Sequence, residues 1–144
     1  MTTKENEILA PEYLMQKAER GLEMYEDLLE EGLVTEGQEV EVMTLFNSCY
    51  SRYIDTKYGH KAWYIKKEYP YDSPEHFVWS ILIEKPDFWT KWINQTMRYG
   101  ESGWEPNYRP TIDRLDDSKG YFLYNIQVLS FRNNALKNNQ FVFL

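Results

Sequence analysis

A change of character at Arg109 constrains the fold of this chain more than any other feature of its sequence. Residues 110–113 form a short extended piece, and a cluster of turn-forming residues that ends at Gly120 follows it. Residues 126–129 are a run rich in strand-forming side chains, and residues 131–137 can begin a helix. The pattern therefore predicts a strand, a polar loop, a second strand and a helix at the C-terminal end.

Four groups of residues stand in order within this run: Arg109-Pro110-Thr111-Ile112-Asp113-Arg114-Leu115-Asp116, Ser118-Lys119-Gly120-Tyr121, Asn125-Ile126-Gln127 and Asn134. Their order and spacing resemble the HNH, or His-Me finger, endonucleases, especially the small phage and mobile-element forms. The resemblance covers about one fifth of the chain. It implies an α+β protein, in which a mostly helical region (residues 1–103) precedes an HNH-like ββα-metal unit (residues 104–144) within one compact domain.

The resemblance also implies roles for three residues. Asp113, which we expect at an exposed end of the first strand, matches the metal-binding acid of the family. Asn125, at the start of the second strand, matches the middle Asn, which fixes the loop and orients the catalytic base. Asn134, on the helix, matches the final metal ligand, and Asn133 takes that place if the register is shifted by one residue.

This set is chemically coherent for a magnesium site. Carboxylate and amide oxygens are hard ligands suited to Mg²⁺, which keeps several waters and takes its other ligands from phosphate oxygens. Mg²⁺, or Mn²⁺ in its place, would stabilise the charge that develops on the leaving oxygen of a cleaved phosphodiester. The expected cofactor is therefore Mg²⁺ (or Mn²⁺), with Asp113 and Asn134 as its ligands.

Arg114 stands where HNH enzymes carry the general-base His. A guanidinium stays protonated at any relevant pH and cannot accept a proton from water. We expect Arg114 to clamp the scissile phosphate instead. The general base is left unassigned, with Asp116, Asp117 and the two histidines as candidates. Phosphate contacts are expected from the cations within or beside the motif, which are Arg109, Lys119, Arg132 and Lys137.

The first two thirds of the chain predict helices only. An amphipathic, acidic helix is expected from Pro11 to Glu31, ending at Gly32, and a second from about Gln38 to Tyr58, stopped by Gly59. Ser73 followed by Pro74 is a strong helix start. Pro86 divides that helix from a final one over residues 87–98, and Gly100 and Gly103 end the helical region.

Two features of the helical region have a structural and a functional interpretation. The run from Trp63 to Tyr71 interleaves lysines with aromatic residues, so it is either a packed connector or a stacking surface for nucleic acid. His60 and His76 lie in no recognisable motif, and the surface or capping interpretation is favoured for both.

The distribution of charge keeps nucleic-acid binding open despite a formal net charge of −7. Residues 1–50 carry 3 Lys/Arg against 12 Asp/Glu, so they account for the whole excess of acid, and the remaining two thirds are slightly basic. Cys49 is the only cysteine, which excludes an internal disulfide and a zinc knuckle. No apolar run approaches the roughly 20 residues needed to span a bilayer, and residues 1–10 are polar and acidic, so the expectation is a soluble protein of the cytoplasm with no signal peptide and no membrane partner.

Two functional hypotheses follow. The first is a metal-dependent DNA endonuclease or nickase whose helical part positions DNA. The second is a catalytically inactive protein on a nuclease-like core, such as a phage-encoded inhibitor, which binds a host defence or nucleic-acid-processing protein through its acidic helical region. Against both, residues 113–120 could be a plain polar turn between two strands.

Overall fold

Helices account for most of the described chain, and one small antiparallel sheet follows them. The computed structural model describes the backbone of residues 3–58 and 68–140 and the side chains of residues 15–56 and 68–137. Three short 3₁₀ turns, Glu36–Gln38, Pro106–Tyr108 and Leu123–Asn125, join the main elements. In chain order these elements are α1 (Thr3–Glu30), α2 (Glu39–Tyr58), α3 (Pro74–Glu84), α4 (Pro86–Glu101), β1 (Pro110–Arg114), β2 (Ile126–Ser130) and α5 (Phe131–Gln140).

Helix α1 ends where the sequence predicts, although it begins earlier than Pro11. Gly32 has a φ of 72°, a left-handed conformation that costs glycine little. Its N–H donates to the Leu29 carbonyl, and the N–H of Leu33 donates to that of Leu28, each at 3.0 Å. This is the double hydrogen bond of a Schellman motif, which satisfies the last carbonyls of the helix. The chain can therefore reverse into α2.

The start signals of helices α3 and α4 are also confirmed. The Oγ of Ser73 accepts a hydrogen bond from the N–H of His76 at 3.0 Å and caps α3, with Pro74 at the first helical position. Pro86 opens α4 directly after α3 ends. That helix runs through Gly100 to Glu101, and Gly103, with a φ of 78°, follows its end. His76 is thus exposed and part of a helix cap, in agreement with the surface or capping interpretation.

A single cluster of buried apolar side chains joins the helices to the sheet. Its largest fully buried member, Trp92 of α4, packs in parallel on the ring of Phe88, and its indole N–H donates to the Oγ1 of Thr44 on α2. Burial of one such side chain contributes on the order of 2–3 kcal/mol. The buried apolar members from the sheet and its loop are Ile112, Tyr121 and Ile126. The hairpin is therefore seated on the helical core.

The two strands pair in antiparallel register, with Ile112 opposite Val128 and Asp113 opposite Gln127. Because side chains alternate along a strand, one face of the sheet carries Ile112 and Val128 toward the core. The other face carries the polar pair and is contacted by α5. A hairpin followed by a helix, as the sequence pattern predicts, is therefore present.

The acidic helix α1 is tied to the rest of the chain by a two-pronged ion pair. The Arg20 guanidinium donates to both carboxylate oxygens of Glu75 on α3, at 2.9 Å from Nε and 2.6 Å from NH2. Because both side chains are about one third exposed, this pair contributes at most about 1 kcal/mol. Its main effect is to orient α1 relative to α3. In the described part of the chain, no helix combines the length and the apolar character that crossing a bilayer requires.

Candidate functional site

Asn125 is a buried clamp for the loop that joins the two strands. Its side-chain oxygen accepts a hydrogen bond from the N–H of Asp116 at 2.8 Å. Its amide nitrogen donates to the carbonyls of Asp116 and Gly120 at 3.1 and 2.9 Å. The side chain is only 2% exposed, so these bonds are made away from water and are correspondingly strong. The geometry agrees with the loop-fixing half of the role that the family resemblance implies for Asn125.

Gly120 is required at its position by a close approach of two backbone segments. A Cβ atom added there would overlap the backbone N, C and O atoms of Glu68. The neighbouring N–H of Tyr121 donates to the carbonyl of Glu68 at 2.8 Å, and the Tyr71 hydroxyl donates to the carbonyl of Tyr121 at 2.8 Å. The Ser-Lys-Gly-Tyr segment is thereby tied to the chain before α3. The sequence marked Gly120 as a turn former and did not reveal this contact.

The aromatic residues before α3 pack internally where the structure describes them. The ring of Tyr71 stacks on that of Phe77 with a centroid distance of 4.2 Å, and Tyr69 meets the same ring edge-on at 5.5 Å. This favours the packed-connector interpretation for that end of the segment. Residues 63–67, together with Gly59 and His60, lie outside the described residues.

Arg114 is engaged by the loop itself. Its NH1 donates to the backbone carbonyls of Asp117 and Lys119 at 2.9 and 3.2 Å, and its guanidinium lies 5.4 Å from the ring centroid of Tyr121. Such bonds stabilise the loop and use part of the donor set that a phosphate clamp requires. The phosphate contact itself stays a prediction.

The side chain of Asp116 is likewise engaged within the loop, although the residue is exposed. The Oδ1 of Asp116 accepts hydrogen bonds from both the N–H and the hydroxyl of Ser118, at 2.9 and 2.6 Å. That arrangement is a typical Asx turn, in which an aspartate side chain stabilises the backbone two residues ahead. It accounts for Asp116 structurally, and the general base expected from the sequence stays unassigned.

Asp113 is buried, which corrects the expectation that it sits at an exposed strand end. Asp113 is 4% exposed, and its Oδ2 accepts hydrogen bonds from the Nε2 of Gln127 and the Nζ of Lys137, both at 2.8 Å. The Lys137 ammonium also donates to the carbonyl of Arg114 at 2.8 Å. Because a carboxylate in a poorly solvated position needs a partner charge, Lys137 is the direct reason why Asp113 can be buried.

Asn134, and not Asn133, faces the sheet. The amide nitrogen of Asn134 donates to the Oγ1 of Thr111 at 3.1 Å, while Asn133 is exposed. Thr111 lies two residues before Asp113 and therefore on the same face of β1. Two residues that the resemblance implies as metal ligands, Asp113 and Asn134, thus share one side of the hairpin.

The charge of this site does not fit a bound Mg²⁺ ion. The donor types are suitable, since a carboxylate and an amide are oxygen ligands. The single carboxylate, however, is already neutralised by an ammonium group 2.8 Å away, so the pair carries no net negative charge to attract a divalent cation.

Three of the four cations expected to contact nucleic acid are exposed, namely Arg109, Lys119 and Arg132. Lys137 is instead committed to Asp113. Two exposed cations lie over aromatic rings, with Arg109 at 5.1 Å from the ring centroid of Phe131 and Lys119 at 5.9 Å from that of Tyr124. Such pairs leave each cation near a flat apolar surface.

Exposed aromatic residues are the feature of this region that sequence reasoning missed. The large aromatic side chains described as exposed all lie in residues 104–131. With the adjacent cations they form what we call the aromatic–cation set: Trp104, Tyr108, Arg109, Lys119, Tyr124 and Phe131. Trp104 has a φ of 64°, a left-handed conformation that bulky residues rarely adopt. The high aromatic content of the sequence was a signal, although periodicity could not separate buried rings from exposed ones.

Three comparisons with known proteins matched the chain to no family model, no curated protein and no solved structure.

Proposed function

We propose that the chain is a nuclease-like protein that binds DNA through its C-terminal hairpin and helix and does not cleave it. The observation that carries this proposal is the aromatic–cation set on residues 104–131. Exposed rings beside Arg and Lys are suited to nucleic acid, because bases stack on the rings while the cations meet phosphates. The family resemblance, whose motif includes Arg109 and Lys119 of this set, supports DNA as the nucleic acid.

The clamped loop supports the nuclease-like part of the proposal. Asn125 makes three hydrogen bonds across the loop, and its position corresponds to the middle Asn of the HNH motif. A plain polar turn between two strands does not require a buried side chain that spans the loop in this way. The HNH-like identity of residues 104–144 is part of this proposal.

Binding without cleavage is supported by the Lys137–Asp113 ion pair. An ammonium group holds the carboxylate that would otherwise bind Mg²⁺, and Arg114 stands in place of the general-base His. A carboxylate already paired with an ammonium group, beside an arginine at the general-base position, is poorly suited to activating water in the way the family does. The Mg²⁺ cofactor expected from the sequence is therefore left out of the proposed function.

Fluorescence anisotropy with labelled single-stranded and duplex DNA, in EDTA, tests the binding. We expect Tyr124→Ala and Phe131→Ala to weaken it by about tenfold or more each, since one stacked base contributes roughly 1–3 kcal/mol. Ile83→Ala is a matched control, because Ile83 is an equally exposed apolar residue on α3. Equal affinities for all four proteins would show that the aromatic–cation set does not bind DNA.

A plasmid-nicking assay in Mg²⁺ and Mn²⁺ tests the absence of cleavage. Intact plasmid with a folded, DNA-binding protein is the expected result. Nicking that disappears both in EDTA and in Asp113→Asn would overturn the non-cleaving assignment and restore the metal-dependent endonuclease. The Asp113→Asn protein must be shown to fold in this experiment, since its side chain is buried.

A second candidate function is favoured by the exposed acids of α1. Glu19, Glu23, Glu26 and Glu30 are exposed at a spacing of three or four residues, so they form one stripe along the helix. We propose as this second candidate that the stripe docks a basic, DNA-binding protein; in the phage setting that the resemblance implies, it would be a host defence or nucleic-acid-processing protein. A protein that binds the unmodified chain through this stripe should no longer bind when all four residues are changed to Gln. Its retention would refute this candidate.

A further inference from the structure

We infer that a cavity between α1, α2, α4 and the start of β1 is a binding site for a phosphate group. The cavity has a volume of about 360 Å³ and is lined by one cation from each of three segments: Lys17, Arg52 and Arg109. Its size is at the lower end of small-molecule sites, which suits a compact anion. The inference shares Arg109 with the aromatic–cation set, but Lys17 and Arg52 belong neither to that set nor to the motif, and none of the three side chains touches Asp113, Asn125 or Lys137 in any described contact.

The side chains that line the cavity carry positive charges and no negative charge. The remaining wall is made by hydroxyl, amide, tyrosine and proline residues, and it contains no Asp or Glu. In the part of the chain that the structure describes, the ion pairs are Arg20–Glu75 and Lys137–Asp113, so the three cavity cations have no carboxylate partner there. Cations that converge without an acid attract an anion, all the more strongly where the surroundings exclude water.

Arg52 has a donor that is not satisfied within the protein. Its NH1 donates to the carbonyl of Ser48 at 3.2 Å and its NH2 to that of Ile112 at 3.1 Å, which fixes the guanidinium between α2 and β1. Its Nε is buried and has no hydrogen-bond partner. Because this atom is closed to solvent, a phosphate in the cavity would meet the parts of the Arg52 side chain that line the cavity rather than Nε. A fixed guanidinium is also well suited to phosphate geometry.

Lys17 adds a second, partly desolvated charge. Its Nζ lies 5.8 Å from the ring centroid of Tyr50, and burial lowers the pKa of its ammonium group. A phosphate in the cavity would favour the charged form of Lys17 and offset that effect. Arg109 is the exposed member of the three and lies at the rim of the nuclease-like region. Phosphate is therefore favoured over a carboxylate ligand, because three separate cations match a tetrahedral, multiply charged anion.

The phosphate could be free, as in inorganic phosphate, or could be the terminal phosphate of a nucleic acid. Isothermal titration calorimetry of the whole chain with inorganic phosphate, at ionic strength matched with chloride, tests the shared chemistry. We expect measurable binding that weakens about tenfold or more in Arg52→Gln and in Arg109→Gln, since each removes a charge-assisted hydrogen bond. Lys91→Gln, which changes an exposed lysine of α4 outside the cavity, should bind as the unmodified chain does.

Two oligonucleotides identical except for a 5′-phosphate or a 5′-hydroxyl distinguish the sources. Tighter binding of the phosphorylated form, with the difference abolished in Arg109→Gln, would assign the cavity to a nucleic-acid end. Equal binding of both forms, with inorganic phosphate still bound, would assign it to free phosphate. If Arg52→Gln fails to fold, Lys17→Gln and Arg109→Gln carry the test. The inference is overturned if phosphate produces no heat of binding, or if all cavity variants bind it as well as Lys91→Gln does.

Discussion

Removal of the Lys137 ammonium group should destabilise the chain markedly, because it leaves Asp113 charged and buried. The perturbation is Lys137→Met, which keeps most of the side-chain length and removes the charge. Breaking a fully buried ion pair from one side costs about 3–5 kcal/mol. Here the lysine side chain is 23% exposed and Gln127 still donates to the carboxylate, so water and one hydrogen bond offset part of the loss. We therefore expect a loss of about 2–3 kcal/mol.

A double-mutant cycle in urea separates the ion pair from other effects. Unfolding is followed by tryptophan fluorescence for four proteins: the unmodified chain, Lys137→Met, Asp113→Asn and the double variant. We expect a coupling free energy of about 2 kcal/mol between the two sites and a double variant more stable than the sum of the single changes predicts. In thermal unfolding the loss in Lys137→Met corresponds to a decrease in Tm of roughly 5–10 °C. Lys119→Met, on an exposed lysine of the loop, should change stability by less than about 0.5 kcal/mol.

Mg²⁺ provides an independent readout of the same reasoning. In the unmodified chain the ion should leave the unfolding midpoint unchanged at constant ionic strength. In Lys137→Met the unpaired carboxylate should bind it and raise the midpoint, since a ligand of the folded state stabilises that state. A Lys137→Met protein as stable as the unmodified chain, with coupling below about 0.5 kcal/mol, would refute the ion-pair argument. Stabilisation of the unmodified chain by Mg²⁺ would show that Asp113 is available to a metal after all.

Three further predictions concern the loop and the core. Gly120→Ala should lower the free energy of urea unfolding by about 3 kcal/mol, because the added methyl group overlaps the backbone of Glu68, which cannot move aside as a side chain would. The control Gly37→Ala, with open space around its Cβ, should be nearly neutral. Asn125→Ala should cost about 2–4 kcal/mol through three lost hydrogen bonds, and a change under 1 kcal/mol would contradict the clamp. Cys49 should resist thiol-specific reagents until the chain unfolds, because burial raises the pKa of its thiol; rapid labelling of the folded protein would contradict this.

Local signals in the sequence predicted the order of the described helices and strands and most of their boundaries. Helix α3 depends on Ser73 and Pro74, and the end of α1 depends on Gly32, so each boundary is encoded within a few residues. The strands were predicted because their apolar runs are short and flanked by turn formers. The same locality explains the error at the start of α1, where the helix extends beyond the proline that was taken as its first residue.

The candidate site could be predicted only in part, because its decisive contacts join residues that are distant in sequence. Asp113 was identified, but its burial depends on Lys137, 24 residues later, and on the packing of α5 against the sheet. The contact of Gly120 with Glu68 likewise depends on how the loop meets the helical region. Spacing within a motif carries no information about such contacts, so the sequence indicated a metal ligand where the structure has an ion pair.

Internal hydrogen bonds and one ion pair determine which polar groups of the hairpin and helix α5 are left for a ligand. Polar atoms of Arg114, Asp116 and Asn125 form hydrogen bonds within the loop, and Lys137 forms an ion pair with Asp113. Under the proposals made above, recognition would therefore depend chiefly on the aromatic–cation set and the cavity cations. Both include Arg109, whose side chain contacts Phe131 and lines the cavity. Because the net charge of −7 repels a nucleic acid at long range, attraction can arise only close to these cations, and stacking must supply much of the affinity.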